Sequence, residues 1–431
     1  MVASTDIKFY VHTNNNAPQL TNNFGCMISL LDACLVNGFG SQAVETMTAN
    51  GTTVTATFGS AHNFLKGQVI KVVGADQAEF NGEHRINVES ATSISFSFTG
   101  ANVTQATGSI FVSLPPIGWE KPFGDTGGKA AYRSTNEALT ARPYLRVVDE
   151  IDPVWSSTYA KYAKVGLVED MTGIDAMSGF QTPFDSMAPN KNWVGSGSGS
   201  AAYNGWAKWH YSILNGIRNA SGSQTQTQNN SSVPKDGIRQ WFVIGGGDFF
   251  YILNTVTPLD GQYLFYGCGV IEKSTKTDED MWILASDLSY TTAGNTYALY
   301  GFNNLAYQLD YSSTVTMLLY KTLSRLAGDR CFLTCIKTAR ERDALIYSGS
   351  SDYVLNTGDI NGQPLIPPVF LSLEGAFTRV LGHPPALYWL LRDKPFGDTQ
   401  LVSNGDQLLL AKHVMTSTEF GQVMFDLGGG A

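Results

Sequence analysis

The chain has 431 residues, 43% of them hydrophobic and 12% aromatic, which is enough for two or three packed domains and too apolar for a disordered chain. Only 15% are charged and the formal net charge is −9, whereas typical soluble domains carry roughly 25% charged residues. An acidic chain lacking a clustered Lys/Arg face is a poor partner for phosphate backbones, so nucleic-acid binding is not expected; the densest basic stretch, Arg325 to Arg342, is broken by Asp329, Glu341 and Asp343 and reads as a charged helix face.

Ile7 to His12 reads as a first strand, and Asn14-Asn15-Asn16-Ala17-Pro18 as a turn. A short apolar helix pattern follows from Cys26 to Val36, stopped by Asn37-Gly38. From Phe39 to Leu114 the sequence becomes a small β-module spliced into a larger domain. Ala43–Thr48 and Thr52–Phe58 flank Ala49-Asn50-Gly51, a strong hairpin signal. Val69–Val73, Glu83–Val88, Ser93–Phe98 and Gly108–Val112 complete it. Strands recur roughly every ten residues, the spacing of a sandwich or barrel.

The chain resumes at Pro115 with Trp119 to Asp125, then strand patterns at Lys129–Arg133, Tyr144–Asp149 and Tyr162–Asp170. Gly195–Ser200 and the polar stretch Asn219–Pro234 read as loops. Gln240–Ile244, Phe249–Leu253 and Tyr263–Ile271 are strong strand candidates, the first two joined by a Gly245-Gly246-Gly247-Asp248 hairpin. Val315–Leu326 has the pattern of a helix. Val369–Leu373, Ala386–Leu391, Asp406–Ala411 and Gln422–Leu427 read as closing strands, and Gly428–Ala431 as a frayed tail. Lys-Pro-Phe-Gly-Asp-Thr occurs at 121–126 and again at 394–399, either as a duplicated turn or as a degenerate repeat.

The fold class is therefore mainly β: a sandwich- or barrel-like body with a small inserted Ig-like module and few short helices. The expected domains are a body of 1–40 plus 114–300, the insert 41–113, and a C-terminal α+β or β region 301–431 packing on the body.

Sites of chemistry do not emerge. Cys26, Cys34, Cys268, Cys331 and Cys335 form no disulfide framework and read as buried thiols; Cys331 and Cys335 share a face on a strand or a helix. His12, His62, His84, His210, His383 and His413 are scattered, with none at metal-ligand spacing. Acid clusters at Asp149-Glu150-Ile151-Asp152, Glu169-Asp170 and Asp278-Glu279-Asp280 offer glycosidase-like pairs only if the fold brings them together. No Gly-x-Ser-x-Gly elbow and no phosphate-binding glycine loop occurs. We expect no catalytic residue, no cofactor and no metal. Trp206, Trp209, Tyr211, Trp241, Tyr263, Phe265 and Tyr266 are core at strand spacing, or a platform for sugars or a protein if exposed. No secretory signal and no membrane-spanning run is read, so membrane insertion is not expected and the sequons at Asn50, Asn102, Asn219 and Asn230 are expected to stay unmodified.

The order of pieces resembles virion structural proteins of tailed bacteriophages. The matching pieces are Leu31-Asp32-Ala33-Cys34-Leu35-Val36-Asn37-Gly38-Phe39-Gly40, Phe80-Asn81-Gly82-Glu83-His84-Arg85-Ile86, Gly118-Trp119-Glu120-Lys121-Pro122-Phe123, Tyr144-Leu145-Arg146-Val147, Gly166-Leu167-Val168-Glu169-Asp170-Met171, and Gln240-Trp241-Phe242-Val243-Ile244 with Phe249-Phe250-Tyr251. They span residues 7–290 in co-linear order, and no single piece is specific. The resemblance implies a non-enzymatic particle component, made in the host bacterial cytoplasm and built into the virion. Its partners would be other copies of itself and other virion proteins, with a host receptor or polysaccharide as a further candidate. A tail position (sleeve, baseplate or adaptor) leads; capsid decoration or head fibre is the alternative within the class, and a receptor- or carbohydrate-binding module the alternative outside it.

Overall fold

A computed structural model describes residues 4–100, 103–197, 205–214, 231–258, 263–274, 280–288, 290–292, 295–297, 316–320, 329–334, 366, 368–373, 376–390, 396–414 and 422–429. The protein is mainly β, and its strands pair antiparallel.

The central sheet has ten strands, in the order Lys8–Val11, Trp241–Gly246, Phe249–Asn254, Leu264–Val270, Trp282–Ala285, Thr316–Tyr320, Asp329–Thr334, Phe370–Leu373, Ala376–His383 and Glu272–Lys273. The last of these directly continues Leu264–Val270 and pairs with Gly382 and His383, so the sheet curls back onto a strand it already contains. The middle strands are buried on both faces, and side-chain parity divides them between two cores. Trp241, Val243, Phe250, Ile252, Tyr266 and Trp282 enter one; Phe242, Ile244, Tyr251, Leu253, Phe265 and Ile283 enter the other. This is why these segments read as continuous apolar runs instead of alternating ones.

A seven-stranded sheet covers the first face, in the order Asp287–Leu288, Ala207–Ser212, Lys161–Gly173, Tyr144–Val148, Lys129–Ser134 and Trp119–Gly124, with Ala176–Thr182 on the far end of the long strand. Aromatic rings fill the space between. Trp119 meets Phe250 and Trp282 edge-on at 5.1 and 6.1 Å, and Trp209 stacks on Tyr266 at 5.9 Å. Three of these buried indoles find a backbone carbonyl: Trp119 donates to Gly246, Trp209 to Ala285 and Trp282 to Ala141. A four-stranded sheet of Leu387–Trp389, Gln422–Gly429, Gln407–His413 and Leu401–Asn404 covers the second face, where Phe425 stacks on Phe242 at 5.7 Å.

The insert forms its own sheet of seven strands: Phe39–Ala43, Gly108–Leu114, Val69–Ala75, Gly82–Ser90, Ser93–Ser97, Thr53–Thr57 and Thr46–Asn50. Gly82–Ser90 bends, pairing with Val69–Val72 through its first half and with Ser93–Phe96 through its second. Ala49 donates to Thr104 O and Ala106 to Met47 O, at 2.8 and 2.9 Å, which joins the end strand to the approach of Gly108–Leu114 and closes a small barrel. Gly51 opens the hairpin turn with φ +59°, at the first turn position, where a type II′ turn places glycine. The helix Cys26–Leu31 widens into a π-helical turn, Asp32–Asn37, and ends at Gly38 with φ +72°. A side chain at Gly38 would lie 2.5 Å from Leu114 O, so glycine is what allows the two ends of the insert to meet.

Three expectations need correction. Thr316–Tyr320, inside the expected helix Val315–Leu326, is a strand lying between Trp282–Ala285 and Asp329–Thr334; ladder pairing on both sides overrides its local preference. The rest of that helix lies outside the described residues. Asp329–Thr334, inside the expected charged helix face, is likewise a strand. Strands from both sides of residue 300 share the central sheet, so 301–431 does not stand apart from the body. Cys335, most of Asn219–Pro234 and Asp278-Glu279 lie outside the described residues.

Candidate functional site

Titratable side chains converge at one edge of the seven-stranded sheet, where Asp287–Leu288 pairs with Ala207–Ser212. His210 Nδ1 lies 2.7 Å from Asp287 Oδ2, and Tyr266 donates its hydroxyl to the same oxygen at 2.6 Å. The Tyr266 oxygen in turn accepts the His210 backbone N–H at 2.9 Å. Lys208 stands directly opposite Asp287 in the register, with its ammonium over the Tyr162 ring. Burial pushes Lys208 down to about 7, against the attraction of Asp287 and aided by repulsion from Lys164. A His–Asp pair of this geometry is the base-and-orienter half of a hydrolytic site. Here His210 is 0% and Asp287 1% exposed, with the Trp209–Tyr266 stack beside them, so the dyad is sealed from a substrate. It fixes the edge strand.

The acid clusters are also absorbed by the backbone. Asp149 is fully buried and accepts the Met27 N–H at 2.8 Å and the Tyr211 hydroxyl at 2.6 Å. The helix Cys26–Leu31 starts at Gly25, which offers no side-chain cap, so Asp149 serves as the cap from 122 residues away. Desolvation raises its carboxyl to about 6, against the hydrogen bonds from Tyr211 and the N–H groups of Met27, Ile28 and Gly25. Asp152 forms a buried ion pair with Lys164 at 3.0 Å and accepts the N–H groups of Val154 and Gly195. Glu169 accepts Phe180 N–H, Asp170 accepts Met171 N–H, and Asp280 holds Thr140. Among the described residues, no two of them share a partner that would place them as an acid–base pair.

The two Lys-Pro-Phe-Gly-Asp-Thr copies do different work. Asp125 closes its turn by accepting the N–H groups of Gly127, Gly128 and Lys129, whereas Asp398 reaches across to Lys412 and His413 N–H. Residues 394 and 395 lie outside the described residues. Gly247-Asp248 is a hairpin turn as expected, with Asp248 held by Ser134 and Asn136.

The seven aromatics considered as a sugar platform are all buried, from Trp209 at 0% to Tyr263 at 4% exposure, which removes the surface on which that reading stood. Exposed apolar side chains are found elsewhere. On the insert, Val73 and Phe111 are a cross-strand pair, each 43% exposed, with Ala43 opposite Phe111 on the next strand. Their parity carries the signal. Ile110, Val112 and Leu114 fill the barrel, so Phe111 stands on the same side as Ser109 and Ser113, and Val73 on that of Lys71. An aromatic on the polar parity of a strand is the mark that a residue-by-residue reading passes over. Among the described residues, no three His, Cys, Asp or Glu groups come together as a metal site, and no helix is long and apolar enough to cross a membrane.

A scan against protein-family models finds no match to this chain, and a search of curated proteins finds none either.

Proposed function

We propose that the protein is a non-enzymatic structural component of a tailed-bacteriophage virion, present in several copies and placed in the tail as a sleeve, baseplate or adaptor subunit. The observation that carries the reading is the row Ala43–Phe111–Val73 on the outer face of the inserted barrel, an apolar strip on an otherwise Ser- and Lys-bearing surface. Such a strip fits a contact with a neighbouring subunit. The polar clusters support the same reading, because His210–Asp287, Asp149 and Asp152–Lys164 all spend their hydrogen bonds on holding strands and a helix in place. The co-linear likeness over 7–290 supplies the virion context. Capsid decoration is the second position within the particle that fits this surface. Electron microscopy of particles labelled on the insert tests the assignment: label in regular array along the tail is expected, and unlabelled particles from cells that make the protein would refute it.

A further inference from the structure

The outermost strand of the central sheet, Lys8–Val11, pairs on one side with Trp241–Gly246, and His12 N–H continues that pairing to Trp241 O. In an antiparallel ladder alternate residues point their main-chain groups the other way, so Ile7, Phe9 and Val11 face outward. An open row of this kind is a template for another strand. Here side chains occupy it. Arg85, on the bent strand of the insert, donates from Nη2 to Ile7 O at 2.9 Å. Gln68, also on the insert, donates to Phe9 O at 3.0 Å. Asn14 Oδ1 accepts Val11 N–H at 3.0 Å, and Asn14 and Gln68 are locked by a reciprocal pair of amide hydrogen bonds at 2.9 and 3.0 Å.

Arg85 does more than fill one position. Its Nε donates to Ser4 O, Nη1 to Gly67 O, and Nη2 also to Leu427 O, at 2.7–3.0 Å. One guanidinium thus ties the insert to the first strand and to Gln422–Gly429 of the outer sheet, 342 residues away. Glu83, two residues before it, holds Lys8 at 3.0 Å.

We propose that the inserted barrel is an edge guard: through Arg85 and Gln68 it covers the open side of Lys8–Val11 and excludes strand addition by a second copy of this chain. The second copy follows from the sequence of the edge. Two such strands running antiparallel about a two-fold axis at Phe9 place Asp6 of each opposite His12 of the other, and Lys8 opposite Tyr10, so no like charges meet.

The test uses the full chain with Arg85→Met and, separately, Gln68→Glu. Ionised, the glutamate still accepts from Leu65 N–H and from Asn14 but has no hydrogen to give Phe9 O; because the buried acid can donate there when protonated, the comparison is made at alkaline pH. Hydrogen exchange read by mass spectrometry, at a dilution where the chains are monomeric, is expected to speed up at residues 7–11 by at least about tenfold in both variants, because the strand is no longer held from its outer side, with Gln422–Gly429 following only in Arg85→Met. Light scattering against concentration is expected to show a dimer that wild type at the same concentration lacks. Unchanged exchange at 7–11, faster exchange confined to 41–113, or exposed edges with no gain in mass would each overturn the proposal. If Arg85→Met does not fold, the Gln68→Glu result alone decides, because its packing volume is unchanged.

Discussion

Asp149 makes stability depend on pH in a direction opposite to that of most carboxylates. Its folded-state value is raised from 3.8 to about 6 by burial. The folded chain therefore holds this proton more tightly than the unfolded chain, and the group's stabilising contribution is complete below about pH 4 and lost as pH rises through about 6. The size of that loss is about 3 kcal/mol, from roughly 1.4 kcal/mol for each pH unit between the two values. Asp149→Asn removes the titration but keeps the shape. Its oxygen still accepts Met27 N–H, and its amide donates to the Tyr211 oxygen, which then turns from donor to acceptor. Urea unfolding of both proteins across about pH 4 to 8 isolates the site, since every other titrating group is common to the two. The stability of wild type relative to the variant is expected to fall by about 3 kcal/mol over that range. Asp149→Ala, which leaves the Met27 N–H without its acceptor and the Tyr211 hydroxyl with Asn23 O alone, should cost about 1–3 kcal/mol at acid pH. Parallel curves for wild type and Asp149→Asn would refute the reasoning, because they would mean that Asp149 is equally at ease charged in both states.

His84 works the other way. Burial lowers its value below 6.5, so stability is lost as pH falls from about 6.5 through the folded value, and His84→Gln, which can still donate to Phe80 O, should be less sensitive than wild type between about pH 7 and 5 in the same assay. A methyl group at Gly269 would sit 2.5 Å from Phe249 Cα on the paired strand; Gly269→Ala is expected to lower stability by about 2–3 kcal/mol, measured by thermal or urea unfolding. Phe111→Asp with Val73→Ser, at side chains that are each 43% exposed, should lower monomer stability by about 1–3 kcal/mol while leaving the fold intact, and should reduce incorporation into particles. Equal incorporation would show that the strip is not a subunit contact.

How much of this was legible depends on where each residue's partner lies. The strands at 241–246 and 249–254 could be read because burial on both faces makes them apolar at every position and Gly247-Asp248 marks the turn. The Cys26 helix could be read from its apolar pattern and its Asn-Gly stop, but its cap could not, because Asp149 arrives from another sheet. Thr316–Tyr320 was open to misreading as helix for the same reason: its neighbours begin at Trp282 and Asp329. Within the insert the strands were legible and the closure was not, since it rests on backbone hydrogen bonds between Met47–Ala49 and Thr104–Ala106 that leave no mark on side-chain pattern. Arg85 looked like one more charge on a strand; its four carbonyl partners come from three separate parts of the chain.

Particle composition tests the structural assignment most directly. Virions purified by density gradient and washed in high salt can be digested, and this chain counted against the major capsid protein by quantitative mass spectrometry. A fixed copy number that is a multiple of the tail's rotational symmetry, and shortened or tailless particles when the gene is deleted, are the predicted result. Particles that lack the chain, or deletion particles with normal mass, tail length and infectivity, would contradict it.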